Sequence, residues 1–156
     1  MAGLIESRLA RLGLSLPPVH QPVANYVGAV LSGDQIWVSG QGPTWGQEIR
    51  YRGKVGEVLT LEQGKKAAEL TCLNLLAQAK AAAGGDLDRV TGCLKLFGLV
   101  LSAPGFTDQH LVLNGASDLL AAVFADGGRH ARAAIAAPAL PFSIAVELDA
   151  IFALRT

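Results

Sequence analysis

Three charged residues near the C-terminal end, Arg132, Glu147 and Asp149, stand in stretches otherwise built from Ala, Ile, Val, Leu and Phe. A charge drawn into such surroundings needs a partner or a task, because losing its hydration is expensive. Arginine offers a planar fork that grips a carboxylate in bidentate fashion and stays charged at any working pH, so Arg132 is a candidate carboxylate anchor. Glu147 is a candidate for orienting a water and accepting its proton. Glu147 and Asp149 are two positions apart, so on a strand both leave the same face, roughly 6–7 Å apart. If the strand carrying Arg132 lies beside theirs, an ion pair explains the same residues without a ligand. Spacing leaves both readings open, and Asp149 reads as structural.

The remaining chemistry-bearing residue types are less informative. Cys72 and Cys93 lie in periodic apolar segments and read as inert core thiols, since neither adjoins a His or a glycine-opened helix start that would favour a thiolate. His20, His110 and His130 lack metal-ligand spacing, and no nucleophile–base triad is grouped around any of them in sequence. His130 is two residues from Arg132. Gly40-Gln41-Gly42 is followed by Pro43, Thr44 and Trp45 rather than by a helix, so it is not a phosphate-binding fingerprint. Neither a metal nor a cofactor is expected.

The elements that must position these residues follow from periodicity. Ile5, Leu9 and Leu12 recur at helical spacing before Gly13 and predict a short amphipathic helix over 3–13. Residues 15–25 hold three prolines and no period, and read as an extended lead-in. Two strands, Tyr26 to Leu31 and Gln35 to Ser39, flank Ser32-Gly33-Asp34 and predict a hairpin. A glycine-rich loop from Gly40 to Gly46 leads to a weak strand around Glu48 to Tyr51. Thr60 with Gln63 three residues on predicts a capping box opening a long helix that Gly84-Gly85 ends. Val90 to Leu101 is nearly continuously apolar, which predicts a central strand covered on both faces. A second long helix is expected from about Thr107 to Phe124, then strands at His130 to Ala137 and Ser143 to Leu154. In the last, Phe142, Ile144, Val146, Leu148, Ala150, Phe152 and Leu154 should face one way and Ser143, Ala145, Glu147 and Asp149 the other. The order describes an α+β domain, a sheet with helices on one side.

Composition limits the function classes. The chain has 156 residues, enough for one core and one domain spanning 1–156. Thirteen Lys and Arg balance thirteen Asp and Glu, so no basic field exists to collect phosphates and nucleic acid is not an expected partner. The N-terminal stretch does not read as a signal peptide, and no apolar run approaches the roughly 20 residues of a membrane helix. A cytoplasmic location is expected. With 51% hydrophobic and 17% charged residues, the chain should cover some apolar surface with other subunits.

The run HARAAIAAPALPFSIAVELDAI resembles the C-terminal signature of the Rid family, also called YjgF: an arginine, a Leu-Pro turn, and a Glu-bearing strand ending in Glu-Ala-Ile, where this chain has Asp149-Ala150-Ile151. Arg132, Leu140-Pro141 and Glu147 match it in identity and spacing. Tyr26, the Val38-Ser39-Gly40-Gln41 segment and Asn114 resemble other pocket positions of that family, and the likeness extends over most of residues 20–154. It implies a chorismate-mutase-like fold: a mixed sheet with two long helices on one face, here with an added N-terminal helix, assembled as a homotrimer with ligand clefts at subunit boundaries. It implies hydrolysis of 2-imino or enamino acids to 2-oxo acids and ammonia, with Arg132 anchoring the carboxylate and Glu147 orienting the water. Tyr26, Ser39, Gly40 and Asn114 would complete a site for a small carboxylate-bearing metabolite. The alternatives are a non-catalytic trimer that binds 2-oxo acids and, less favoured by the charge balance, an endoribonuclease. This chain departs from the family pattern in Ala24-Asn25-Tyr26-Val27, where Gly-Pro-Tyr-Ser is usual, and in Ala134, where a cysteine is frequent. Residues 3–13 and 45–56 look like additions to the shorter members, and both are candidates to reshape the cleft and with it the substrate.

Overall fold

Thr60 begins the longest helix by the capping box its sequence predicts: its hydroxyl accepts the Gln63 N–H at 3.1 Å while Gln63 Oε1 accepts the Thr60 N–H at 2.9 Å. These pairs satisfy backbone donors that a helix start otherwise leaves open. The computed structural model describes residues 3–156; Met1 and Ala2, which the single-domain expectation included, lie outside them. The elements in chain order are α1 (Leu4–Arg11), β1 (Ala29–Ser32), β2 (Gln35–Gln41), β3 (Thr44–Trp45), β4 (Glu48–Ile49), α2 (Leu61–Ala82), β5 (Val90–Leu101), α3 (Gln109–Phe124), β6 (Ala131–Ala137) and β7 (Val146–Leu154).

Five strands form one sheet in the order β1-β2-β7-β5-β6, and β3 and β4 make a separate small hairpin. β5 and β6 are parallel, every other pair in the large sheet is antiparallel, and α3 supplies the crossover that a parallel neighbour requires. The sheet is mixed and the fold α+β. Its layered form follows from period 2. Ile36, Val38, Leu96, Val100, Leu148, Ala150 and Phe152 are buried against α2 and α3, whose Leu73, Leu76, Leu113, Ala116 and Leu120 complete the core.

The opposite sheet face differs from expectation. β5 lies between β7 and β6 as an interior strand, but only one of its faces is covered: Leu96, Gly98 and Val100 are buried while Lys95, Phe97 and Leu99 are half-buried on the open side. Its apolar run reflects an open face still lined by Trp37, Phe97, Leu99, Ile135 and Ile151 in the single chain. The alternation predicted for the last strand holds from Val146 to Leu154 and fails before it: Ala145 is in the core, Ile144 lines a cavity, and Phe142 is exposed in the turn Pro141–Ser143 with φ 58°. β1 begins at Ala29 rather than Tyr26: its ladder with β2 ends at Ala29–Val38, and the residues before it hydrogen-bond to β2 through Ser39.

An eight-residue helix such as α1 is marginal on its own. Here the Asp88 carboxylate, just before β5, accepts the Leu4 and Ile5 N–H groups at 2.7 and 2.9 Å. Those bonds, Ile5's first, hold its carboxyl below the usual aspartate range. Lys80 of α2 donates to Glu6 at 2.7 Å, and Ile5 and Leu9 join the core.

The two long helices cross where Gly115 of α3 meets the Lys65 carbonyl of α2 so closely that any Cβ at 115 would collide with it. Gly115→Ala should therefore destabilise the protein by about 1–3 kcal/mol, despite alanine's better helix propensity, because the obstructing atom is backbone and has no rotamer to move to. Urea unfolding checks this; a midpoint equal to or above that of the parent would refute the close-crossing account.

Candidate functional site

A β-bulge shapes the mouth of the site. Val38 pairs with Ala150 and Gln41 with Leu148, so Ser39 and Gly40 together stand opposite Asp149. The extra residue bends β2 locally, as bulges beside functional sites commonly do. The Ser39 hydroxyl donates to Val27 O at 2.6 Å and its N–H to Gly28 O at 2.9 Å, which straps the lead-in carrying Tyr26 over the bend. Tyr26, Ser39, Gly40 and Glu147 consequently line one cavity of about 1100 Å³ on the sheet face away from the helices. Its other walls are Thr44, Gln47 and Ile49 from the small hairpin, Arg52, His20, and the turn at Pro141 and Phe142. Tyr26 is 47% exposed and stands on the cavity wall rather than in the core.

Glu147 packs directly on Gly40: a Cβ at position 40 would lie 2.5 Å from Glu147 Oε1. Glycine is thus required by the carboxylate rather than by backbone torsion. No hydrogen bond to the Glu147 carboxylate is present among the described residues, so its oxygens are available to a water or a ligand. Partial burial, and then the negative charge of Asp149, push its carboxyl above the usual glutamate range. Asp149 is pushed up by burial as well, against the opposing pull of Lys95. Far from being a structural bystander, Asp149 lines the cavity and tunes Glu147.

Arg132 lies elsewhere. β5 separates β6 from β7, and the register puts Arg132 level with Leu96 on the helix side but Glu147 level with Leu99 on the open side. The ion pair between neighbouring strands is therefore ruled out: the strands are not neighbours and the side chains leave opposite faces. Arg132 instead donates to Asn114 Oδ1 at 2.8 Å, Ser117 Oγ at 3.1 Å and His110 O at 3.2 Å, all on α3. His130 supports the bracket. Its Nδ1–H donates to Gly128 O at 2.6 Å, so in the neutral ring Nε2 accepts the Ser117 hydroxyl at 2.9 Å. Every acceptor around the guanidinium is neutral, and among the described residues no carboxylate is within 4.0 Å of it. A half-buried, positioned and unneutralised arginine on an edge strand is a competent anion anchor.

Within one chain, then, the structure groups Tyr26, Ser39, Gly40 and Glu147 and sets Arg132 and Asn114 together in a separate place. Sequence reasoning did not single out Arg52, Gln47 or Thr44 as lining residues. Their signal was that they fall in or beside the added segment 45–56. Phe142 was concealed by its apparent strand period. The cysteines are core thiols: burial pushes Cys93 up to about 12 and Cys72 well above its ordinary value. Among the described residues, no group of three His, Cys, Asp or Glu side chains is placed to hold a metal, and no helix is long and apolar enough to cross a membrane.

The family model described as "YjgF/chorismate mutase-like, putative endoribonuclease" matches residues 6–153. The chain belongs to the YjgF family. Protein TCP17 of Trypanosoma cruzi is 45% identical over 155 residues, covering 99% of this chain and 96% of that protein. A solved structure of the Agrobacterium tumefaciens protein Atu1372, of unknown function, superposes with a TM-score of 0.91 at 46% identity, covering 97% of this chain and 92% of the other. A "putative endoribonuclease" from Shewanella oneidensis superposes with a TM-score of 0.93 at 33% identity, covering 97% of this chain and all of that one. These spans include the N-terminal helix region, so that feature is shared by a longer set of YjgF proteins.

The raised carboxyls predict a stability effect with a definite sign. A folded-state pKa above the unfolded one means that ionisation costs folding energy at neutral pH, and that this cost disappears as pH falls through the folded pKa. Glu147→Gln should raise the melting temperature at pH 7 by about 1–2 °C and leave it unchanged near pH 4. A drop at pH 7 would show that Glu147 is held by an interaction the geometry does not reveal. Gly40→Ala should keep the fold but displace the Glu147 carboxylate, abolishing this pH-dependent difference.

Proposed function

We propose that this YjgF protein hydrolyses small 2-imino or enamino acids to 2-oxo acids and ammonia, in a cleft that one chain begins and a second copy completes. The observation carrying the reading is the pairing of two incomplete halves: a positioned, unneutralised Arg132 on the edge strand β6, and a cavity in which Glu147 has free carboxylate oxygens beside Tyr26, Ser39 and Gly40. A homotrimer in which the Arg132 edge of one copy meets the cavity of the next supplies both. The half-buried apolar face with Trp37, Phe97 and Ile135 supports assembly, since exposed apolar patches of this kind mark interaction surfaces.

The chemistry then assigns itself by position. Arg132 holds the substrate carboxylate bidentately, which fixes the imine carbon relative to the Glu147 carboxylate. Glu147 orients a water and takes its proton as the oxygen adds to that carbon. The proton passes to the nitrogen; Glu147 then takes the hydroxyl proton and returns it to the nitrogen as the C–N bond breaks, so that ammonia departs and the 2-oxo acid remains. Ser39 and the Gly40 backbone are placed to hydrogen-bond the reacting group, and the Tyr26 ring to cover it. RNA cleavage fits less well, because the cavity presents Glu147 and Asp149 to any phosphate and the chain carries no net positive charge.

The test is release of pyruvate and ammonia from 2-aminoacrylate generated in situ from serine. The parent should accelerate it; Arg132→Ala should raise KM and lower kcat/KM by about 100-fold or more; Glu147→Gln should lower kcat. Activity should rise with pH through the raised Glu147 carboxyl, since only the ionised form accepts the proton. No acceleration over buffer, or Arg132→Ala equal to the parent, would overturn the reading. Pyruvate-induced stabilisation that depends on Arg132 without turnover would replace it with a binding role.

A further inference from the structure

Arg52 is placed in the cavity by backbone pairing. The Ala145 N–H donates to Tyr51 O at 3.0 Å and the Gly53 N–H to Ser143 O at 2.9 Å, so Arg52 stands opposite Ile144 in a fixed two-stranded contact. The turn it braces carries Phe142 and Ser143 at φ 58° and 57°, left-handed conformations that cost non-glycine residues energy and gather at ligand sites. Arg52 is the only Arg or Lys among the described lining residues. Its guanidinium makes one long bond, to Phe142 O at 3.3 Å, and has no carboxylate within 4.0 Å although Glu147 and Asp149 line the same space. Most of its five donors are therefore free. A second observation points the same way: Thr44, 7% exposed and lining the cavity, keeps its hydroxyl buried without a partner. Buried polar atoms are rarely left so unless a ligand or water completes them.

Size argues for a ligand longer than the smallest imino acids. Pockets that take drug-sized ligands run roughly 300–1,000 Å³, and this cavity reaches about 1100 Å³ before a second copy closes it. We propose that Arg52, with Thr44 and Gln47 as neutral donors, forms a second carboxylate subsite, so that the preferred ligands are dicarboxylic 2-imino acids and their 2-oxo products. The inference rests on the reaction proposed above for the order of groups: Arg132 takes the carboxylate next to the imine, Glu147 and Asp149 face the protonated nitrogen, and Arg52 takes the distal carboxylate. Two cations then meet two anions, and the β7 carboxylates meet the one cationic group of the substrate.

Calorimetric binding to the full chain separates the claims, using 2-oxoglutarate and 2-oxoadipate against 2-oxopentanoate and 2-oxobutanoate. The dicarboxylates should bind at least about tenfold tighter, equivalent to roughly 1.4 kcal/mol. Arg52→Gln should erase that preference while leaving the monocarboxylates unchanged, and Arg52→Lys should restore part of it. Arg132→Ala should weaken all four. Equal affinity for 2-oxoglutarate and 2-oxopentanoate, or a preference that survives Arg52→Gln, overturns the subsite. If the preference and its Arg52 dependence stand while no imine is turned over, the reaction falls and the subsite remains. If 2-aminoacrylate is hydrolysed but no dicarboxylate preference exists, the subsite alone falls.

Discussion

The placement of β5 between β6 and β7 is the constraint from which the rest of the molecule follows. A pleated strand alternates its side chains between two faces, and register carries that alternation from strand to strand. Once Leu96 is committed to the core, Arg132 must turn toward α3 and Glu147 must turn away from it. Two residues only fifteen positions apart are thereby sent to opposite faces and opposite sides of β5. No adjustment of rotamers within the chain can reunite them, because a one-residue slip that moved either side chain would also expose the core.

That separation gives the two halves different electrostatic settings. Around Arg132 the acceptors are an amide, a hydroxyl and a backbone carbonyl, which orient the guanidinium without cancelling its charge. Around Glu147 the setting is the reverse: no hydrogen bond from the described residues, partial burial, and a second carboxylate two residues on, the last two of which favour the proton. One half is prepared to attract an anion and the other to handle a proton. The bulge at Ser39-Gly40 links this chemistry to the fold, because it sets Gly40 opposite β7 where the missing Cβ makes room for the Glu147 carboxylate.

The features that distinguish the longer YjgF proteins fall into two kinds. The N-terminal helix is stitched to the start of β5 and to α2 by Asp88 and Lys80, away from the cavity. Segment 45–56 does enter the cavity, bringing Gln47, Ile49 and Arg52 to its wall and bracing the Pro141–Ser143 turn through backbone pairing. An addition of the first kind stabilises; one of the second kind changes what the cleft can recognise.

Much of this protein was legible in its residues because the signals are local. The capping box at Thr60, the glycines ending α2, the alternation from Val146 to Leu154 and the candidate group Tyr26, Ser39, Gly40 and Glu147 depend on neighbours a few positions away or on a recurring motif. The identity of Arg132 as an unusual charge was equally plain. What only the tertiary structure decided was strand order, and with it the fate of the ion pair, the open face of β5 and the exposure of Phe142. Order is set by the crossover through α3 and by burial summed over the whole sheet, which no local spacing encodes. For the same reason Arg52 stayed hidden: it reaches the cavity by pairing with residues about ninety positions away, and a residue's spacing to its near neighbours carries no record of that contact.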